Sequence, residues 1–394
     1  MTGATAPRLI HLTTTDMSLD WLLAPQLAAF AAAGYEVVGA SAAGPHVPAL
    51  AARSIRHVDV TSLTRAPSLR SDLAAFVELY RLLRREQPTI LHTHNPKPGV
   101  LGRIAGRLAR VPVVVNTQHG LYAQPTDRLR RRLPVYALER IAAAFGHAEL
   151  VQNPEDARTL VRTLKVPARK VTVLGNGIDL GRFSGNRPAA ARAALRAEWG
   201  VSDGDVLVGV VGRLVREKGL DEIVAAARQL RELAPQVRIV VVGPADPDKT
   251  DGFTEAARHA AEADGVRFAG RRDDMPECYA AMDVFLTATH REGFPRAAME
   301  ASASGLPVVA TDIRGCRQVV DDGTTGLLVP VRNPAALANA VARLAGDEAL
   351  RSQMGAAGKQ RAEREFDQQR VIDTTLATYA RLLQRRGMAA PRPG

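Results

Sequence analysis

Cysteine is almost missing from this chain: Cys278 and Cys316 are the only two in 394 residues. Two thiols cannot form a disulfide framework, and neither has a CxxC partner or a histidine-rich neighbourhood that would suggest metal. They read as reduced packing residues, the cysteine usage of a cytosolic protein. Aromatics are scarce too, at 4%, and no recognisable nucleic-acid module occurs, so no nucleic-acid partner is expected. No run of eighteen uncharged apolar residues exists to span a bilayer, and MTGATAPRLIHLTTTD lacks a signal peptide's apolar segment. A G-x-G-x-x-G after the first strand, a Walker A loop and a nucleophile elbow are all absent. A nicotinamide enzyme or a Ser-His-Asp hydrolase is therefore not expected.

Net charge is +11 and unevenly spread. Residues 1–180 hold 22 Lys and Arg against 13 Asp and Glu, whereas the remainder holds 30 against 28. The excess belongs to the first half and is concentrated at Asp127–Leu133. Attraction to anionic lipid headgroups is the functional expectation, and an ordinary solvated face is the alternative.

Short apolar runs alternate with helical stretches throughout, the pattern of parallel sheets wrapped by helices. In the first half, Ser68 to Arg85 shows helical spacing through Leu69, Leu73, Phe76, Tyr80 and Leu83. A glycine turn at Gly175-Asn176-Gly177 and a linker from Asp179 to Pro188 precede DVLVGVVG, where the alternation restarts. The expected organisation is a first domain over 1–180, a second over 190–365 and a last helix over 366–386. Two such domains imply a cleft, and open parallel sheets bind ligands at the carboxyl ends of their strands. The chemically unusual loops are all strand exits: Thr13–Ser18, His94, His119, Arg213–Lys218, Arg271 and Glu292.

The stretch THREGFPRAAMEASASGLPVVAT, Thr289 to Thr311, holds the strongest local signal. It reads as a strand end, a tight loop through Glu292-Gly293, a helix with Pro295 in its first turn, a cap at Gly305 and a second strand. That geometry aims backbone N–H groups and a positive helix end at a phosphate or diphosphate. Glu292 lies in the loop and Glu300 eight residues on. Each alone reads equally as a helix-end or solvated charge. Gly212-Arg213-Leu-Val-Arg-Glu-Lys218-Gly219 sets two cations across another strand-to-helix turn, able together to neutralise a diphosphate. His119 follows an apolar strand and precedes glycine, so its ring is expected near a sheet edge with little crowding behind it. His92 and His94 form an H-x-H pair, expected to point its rings to opposite faces, which argues against a shared metal.

These motifs resemble the E-x7-E signature of the GT-B retaining glycosyltransferases of family 4. GRLVREKG, NGID, FAGR and EGFPRAAMEASASGLPVVATD fall in the family's order. HLTTTDMSLDWLLAPQL, HTHNPKPGVLGR, NTQHGLY and VQNPED resemble its capsule and O-antigen branch. The resemblance implies an α/β, GT-B fold of two Rossmann-like parallel-sheet domains facing each other across a cleft. It implies transfer of a sugar, with retained configuration, from a nucleotide-sugar such as a UDP-sugar to a lipid-linked saccharide. The nucleotide-sugar is a co-substrate; no cofactor and no metal are implied. Arg213 and Lys218 would bind the donor diphosphate, Glu300 the ribose hydroxyls, and the backbone near Arg271 the base. Glu292 with Gly293, Phe294 and Pro295 would hold the transferred sugar, and His119 would approach it from the first domain. Where the family often has a Gly-Gly loop, this chain has Thr13-Thr14-Thr15-Asp16. Thr14, Thr15 and Asp16, with His94, are the acceptor-side candidates. The implied location is cytoplasmic, peripheral on the inner face of the plasma membrane, with the helix over 366–386 returning to the first domain. A nucleotide-sugar epimerase of the same architecture and a non-catalytic nucleotide-sugar-binding protein are the alternatives.

Overall fold

The computed structural model describes all residues except 1–5, 65–67, 95, 125–126, 186–187, 247–250 and 392–394. It divides into two compact units, Met1–Gly175 with Gln369–Gly394, and Asn176–Gln368.

The first unit is a parallel sheet of β1 (Arg8–Thr15), β2 (Glu36–Ala42), β3 (Arg56–Asp59), β4 (Ile90–His94), β5 (Val113–Gln118), β6 (Ala148–Val151) and β7 (Val171–Val173). Their order is β3-β2-β1-β4-β5-β6-β7. Successive side chains alternate between faces, so Leu9 and Ile90 enter one core while Ile10 and Leu91 enter the other. Tyr379, Leu382 and Leu383, from the last helix Gln368–Gln384, complete the core around Leu9 and Phe30. The helix Leu69–Glu86 lies over the other face, and of the expected stripe Phe76 and Leu83 pack on the core while its first residues do not. Its buried face is Ala75, Leu79, Leu82 and Leu83, while Leu69 is 92% and Leu73 66% exposed. Helical spacing identified the helix; the sheet beneath it set a rotation that keeps Leu83 inside and turns Leu69 and Leu73 out.

A buried ion cluster ties the helix Pro96–Leu108 to this sheet. Fully buried Arg103 donates to Glu149 at 2.9 Å, Glu139 at 2.8 Å and the Gly99 carbonyl at 2.6 Å. Asn116 and Gln118 donate to the same two carboxylates. Each charge is thus paired and hydrogen-bonded, the condition under which burial is tolerated.

The second unit repeats the design with β8 (Val206–Val211), β9 (Val237–Val242), β10 (Val266–Gly270), β11 (Val284–Thr287), β12 (Val308–Thr311) and β13 (Gly326–Val329). Their order is β10-β9-β8-β11-β12-β13. The expected linker at Asp179–Pro188 includes a helical turn, Leu180–Phe183, because the Asp179 carboxylate accepts the Arg182 N–H at 3.1 Å. Both sheets run outward in two directions from their first strand, the doubly wound, Rossmann-like pattern. Strand order reverses between β1 and β4 in one sheet and between β8 and β11 in the other. In open parallel sheets such a reversal is where a ligand crevice forms at the strands' carboxyl ends. Among the described residues, no helix is long and apolar enough to cross a membrane.

Candidate functional site

In the second unit the exits of β8 and β11 are locked together through backbone. Gly219 follows the turn Arg216–Lys218 with φ +76°, and a Cβ there would lie 2.1 Å from the Ala288 carbonyl oxygen. Glycine is the residue that fits both demands. The His290 amide donates to the Glu217 carbonyl at 2.9 Å, and the His290 ring pairs with Glu222, also at 2.9 Å. Further along, the Asn176 amide donates to the Phe294 carbonyl at 3.2 Å, and the Thr311 hydroxyl to the Thr289 carbonyl at 2.6 Å. Gly315 passes so close that a Cβ would meet the Glu292 carbonyl at 2.5 Å.

This clamp sets Lys218 Nζ at 3.1 and 3.0 Å from the two oxygens of Glu292. The side chains are 25% and 26% exposed, so the pair is reachable by a ligand. It adds little to stability by itself. The helix Arg296–Ala303 begins one residue later than expected: Pro295 is its N-cap, at φ −73° and ψ 108°, rather than part of its first turn. A proline ring accepts no N–H, so the N-cap side chain satisfies none of the first-turn amides. The positive end of the helix dipole therefore lies at the Glu292 loop.

Glu300, one turn into the helix, is not a solvated charge. Its side chain is 15% exposed, it accepts from the Tyr279 hydroxyl at 2.9 Å, and burial raises its pKa. Arg213 stands at the β8 exit with its guanidinium paired to Asp246. Arg271 follows β10, two strands removed from β8, where it is 58% exposed and 3.3 Å from Asp273. The fold thus joins Lys218 to Glu292 directly, places Arg213 on the same loop as Lys218, and sets Arg271 apart. Cations, helix amides and carboxylates at one crevice form a site suited to a diphosphate joined to a polyol.

In the first unit, β1 runs on through Thr14 and Thr15 where a loop was expected, and a π-helical segment, Ser18–Leu23, follows. Asp16 is buried, with one oxygen accepting the Met17 amide at 2.8 Å and the other the His46 amide at 2.7 Å. Its carboxylate therefore ties two loops together.

The expectation for His92 and His94 is corrected. Strand side chains repeat every two residues, so i and i+2 share a face. Their rings stack with centroids 4.3 Å apart, and His11, opposite His92 on β1, joins them. The result is a buried hydrogen-bonded chain. His119 Nε2 lies 3.0 Å from His94 Nδ1, and His94 Nε2 lies 2.9 Å from His11 Nδ1. His11 Nε2 is 3.5 Å from the Tyr379 hydroxyl, which also bonds His92 Nδ1; His92 Nε2 meets Thr117 Oγ1 at 2.7 Å. The expected open space behind His119 is thus filled by His94. Burial lowers the pKa of His119 to about 4 and of His11 to about 3, and those of His92 and His94 well below the usual value.

His11, His92 and His94 could in principle ligate a metal, since one ring nitrogen from each lies within 4.8 Å of the others. Tetrahedral zinc wants nitrogens about 3.4 Å apart, closer than the widest of these, and the ring nitrogens already bond one another, Tyr379 and Thr117. A second histidine at the depth of His92 on an adjacent strand was the sequence signal for His11. Nothing local pointed to Tyr379, Tyr279 or Asp246, whose partners are distant in sequence.

Comparison with known proteins bears on both units. The family model described as Glycosyl transferases group 1 matches residues 191–361, and that described as Glycosyltransferase Family 4 matches residues 26–182. An Escherichia coli UDP-Gal:alpha-D-GlcNAc-diphosphoundecaprenol alpha-1,3-galactosyltransferase is 32% identical over 305 residues, 75% of this chain and 76% of that protein. The Staphylococcus aureus capsular polysaccharide biosynthesis glycosyltransferase CapM is 26% identical over 82% of this chain and 85% of its own. Among solved structures, Anabaena Alr3699/HepE in complex with UDP superposes with a TM-score of 0.78 at 22% identity, covering 95% of this chain and 99% of that one.

Proposed function

Because the chain belongs to the family 4 glycosyltransferases of GT-B fold, we propose that it moves a sugar from a UDP-sugar to a lipid-linked saccharide, with retained configuration and no metal ion. The observation carrying this reading is the Lys218–Glu292 pair at the β8/β11 reversal, beside the start of the helix Arg296–Ala303. Lys218, with Arg213 released from Asp246, would take up the charge of the departing diphosphate. Glu292 and the Gly293-Phe294-Pro295 backbone would hold hydroxyls of the transferred sugar. Glu300, oriented by Tyr279, would hold the ribose, and the backbone near Arg271 the base. Thr14, Thr15, Asp16 and His94 are assigned to the acceptor side and His119 to the transferred sugar, on the family resemblance. The UDP in the Anabaena structure and the diphosphoundecaprenol acceptor of the Escherichia coli relative support the two substrates.

An anionic membrane surface is the proposed docking place. In the helix Leu129–Phe145, Leu129, Leu133, Leu138 and Ile141 are all more than half exposed, beside Arg130, Arg131 and Arg132. Apolar residues and arginines mixed on one helix suit an anionic interface.

Lys218→Ala and Glu292→Gln should each lower transfer by about 100-fold or more while circular dichroism and the urea midpoint stay unchanged. Wild-type turnover in both would refute the site. The anomeric configuration of the product, read by NMR, tests retention, and transfer that stops in EDTA would overturn metal independence. Larger thermal shifts with GDP- or dTDP-sugars than with UDP-sugars would overturn the nucleotide. Conversion of the donor without acceptor would instead indicate an epimerase.

A further inference from the structure

At the amino ends of β5–β7, on the sheet edge opposite His94 and His119, the first unit holds a cavity of about 310 Å³. Arg107, His147, Arg169, Lys170, Arg385 and Arg386 line it, and no carboxylate does among the described residues. Two of the arginines, Arg385 and Arg386, come from the turn after the last helix, so the cations are assembled from distant parts of the chain.

The hydrogen bonding around His147 is dominated by donors. The Val114 amide donates to His147 Nδ1 at 2.8 Å. An amide only donates, so Nδ1 must accept, and a neutral imidazole then carries its proton on Nε2. Yet Nε2 faces Arg386 Nη2 at 2.6 Å and Arg107 Nη1 at 3.3 Å. Guanidinium nitrogens also only donate. Three donors and two positive charges therefore converge with nothing to accept. Burial first, and then Arg107, Arg386 and Lys170, lower the pKa of His147 to about 4, so the ring adds no charge of its own at neutral pH. Lys170 is held at the rim by the Ala143 and Gly146 carbonyls, at 3.2 and 2.8 Å.

We propose that this pocket is a binding site for a phosphate or diphosphate group, whose oxygens would accept from Arg107, Arg386 and His147 Nε2 together. An anion with several oxygens resolves the donor convergence and neutralises the cluster, and guanidinium forks match its geometry. The cavity is at the small end of ligand pockets, roughly 300 Å³, and suits a headgroup or small phosphate ester rather than a whole nucleotide sugar. The site is built from residues of the first unit alone, and its existence does not rest on the reaction proposed above.

The test uses full-length protein labelled at histidine and titrated with inorganic phosphate and diphosphate. The His147 ring resonances, assigned by their loss in His147→Gln, should move saturably. The movement should persist in Lys218→Ala, which separates this site from the proposed donor site. In the double variant Arg169→Gln/Arg386→Gln, both exposed positions, affinity should fall at least tenfold with the urea midpoint unchanged. No saturable movement in the wild type, or equal affinity in the folded double variant, would overturn the proposal. Co-sedimentation with phosphatidylcholine vesicles, with and without phosphatidylglycerol, then identifies the source. Weakened binding to the anionic vesicles in the double variant assigns the phosphate to a lipid headgroup. Unchanged vesicle binding alongside lost phosphate binding assigns it to a soluble ester.

Discussion

Arg103 shows how much one residue can carry when its partners come from other elements. Glu139 and Glu149 hold its charge in the core of the first unit. Burial raises the pKa of Glu149 even against this cation. Replacing Arg103 with Met would leave two carboxylates without a counter-charge. Removal of one partner from a buried pair costs about 3–5 kcal/mol, so Arg103→Met should lower the urea midpoint of the first unit by a corresponding amount. A midpoint within error of wild type would mean that the carboxyl groups escape by protonation or solvation. Nothing local in GVLGRIAGRL marks Arg103 as buried; its paired glycines permit close approach, but the acids lie 36 and 46 positions away.

At the scale of elements, the loop-to-loop clamp is the part of the second unit most sensitive to a single atom. Gly219→Ala would force a Cβ toward the Ala288 carbonyl at a backbone angle that disfavours L residues. Such strain costs roughly 1–3 kcal/mol. It should also move Lys218 away from Glu292, so the thermal shift induced by a UDP-sugar should shrink more than the loss of basal stability explains. An equal donor-induced shift in the variant would dissociate the clamp from binding. The strands β8, β11 and β12 and the helix between the last two were legible because apolar runs, Pro295 and Gly305 bracket them locally. The Glu292–Lys218 contact was not, since it depends on which strands become neighbours. The helix Leu69–Glu86 makes the same point in reverse: its period was readable, but Leu69 and Leu73 lie outside because the sheet fixed its rotation.

For the whole molecule, the buried histidines predict an acid-sensitive first unit. His11, His92 and His94 stay neutral when folded but take a proton near pH 6.5 when unfolded. Between 6.5 and their folded values the unfolded chain binds more protons, so their contribution is complete above about pH 6.5. It is lost as pH falls, at about 1.4 kcal/mol per pH unit for each histidine. Glu149 and Glu300, whose pKa values burial raises, act in the opposite sense. Comparing wild type with His11→Phe between pH 7.5 and 5 isolates the histidines: the variant's urea midpoint should fall less steeply, and parallel curves would discount the effect. Replacing Arg130, Arg131 and Arg132 by Glu should weaken binding to anionic vesicles, and unchanged binding would remove the proposed membrane contact from that helix. The sequence alone determined the alternation of strands and helices, the glycine turns and the helix-end chemistry after Glu292, because each is written in residues a few positions apart. Tertiary structure decided which strand exits meet, that His11, His94 and Tyr379 form one chain, and that Arg107 and Arg386, far apart in sequence, meet at His147. Those outcomes depend on strand order and on the return of the last helix, neither of which a local pattern encodes.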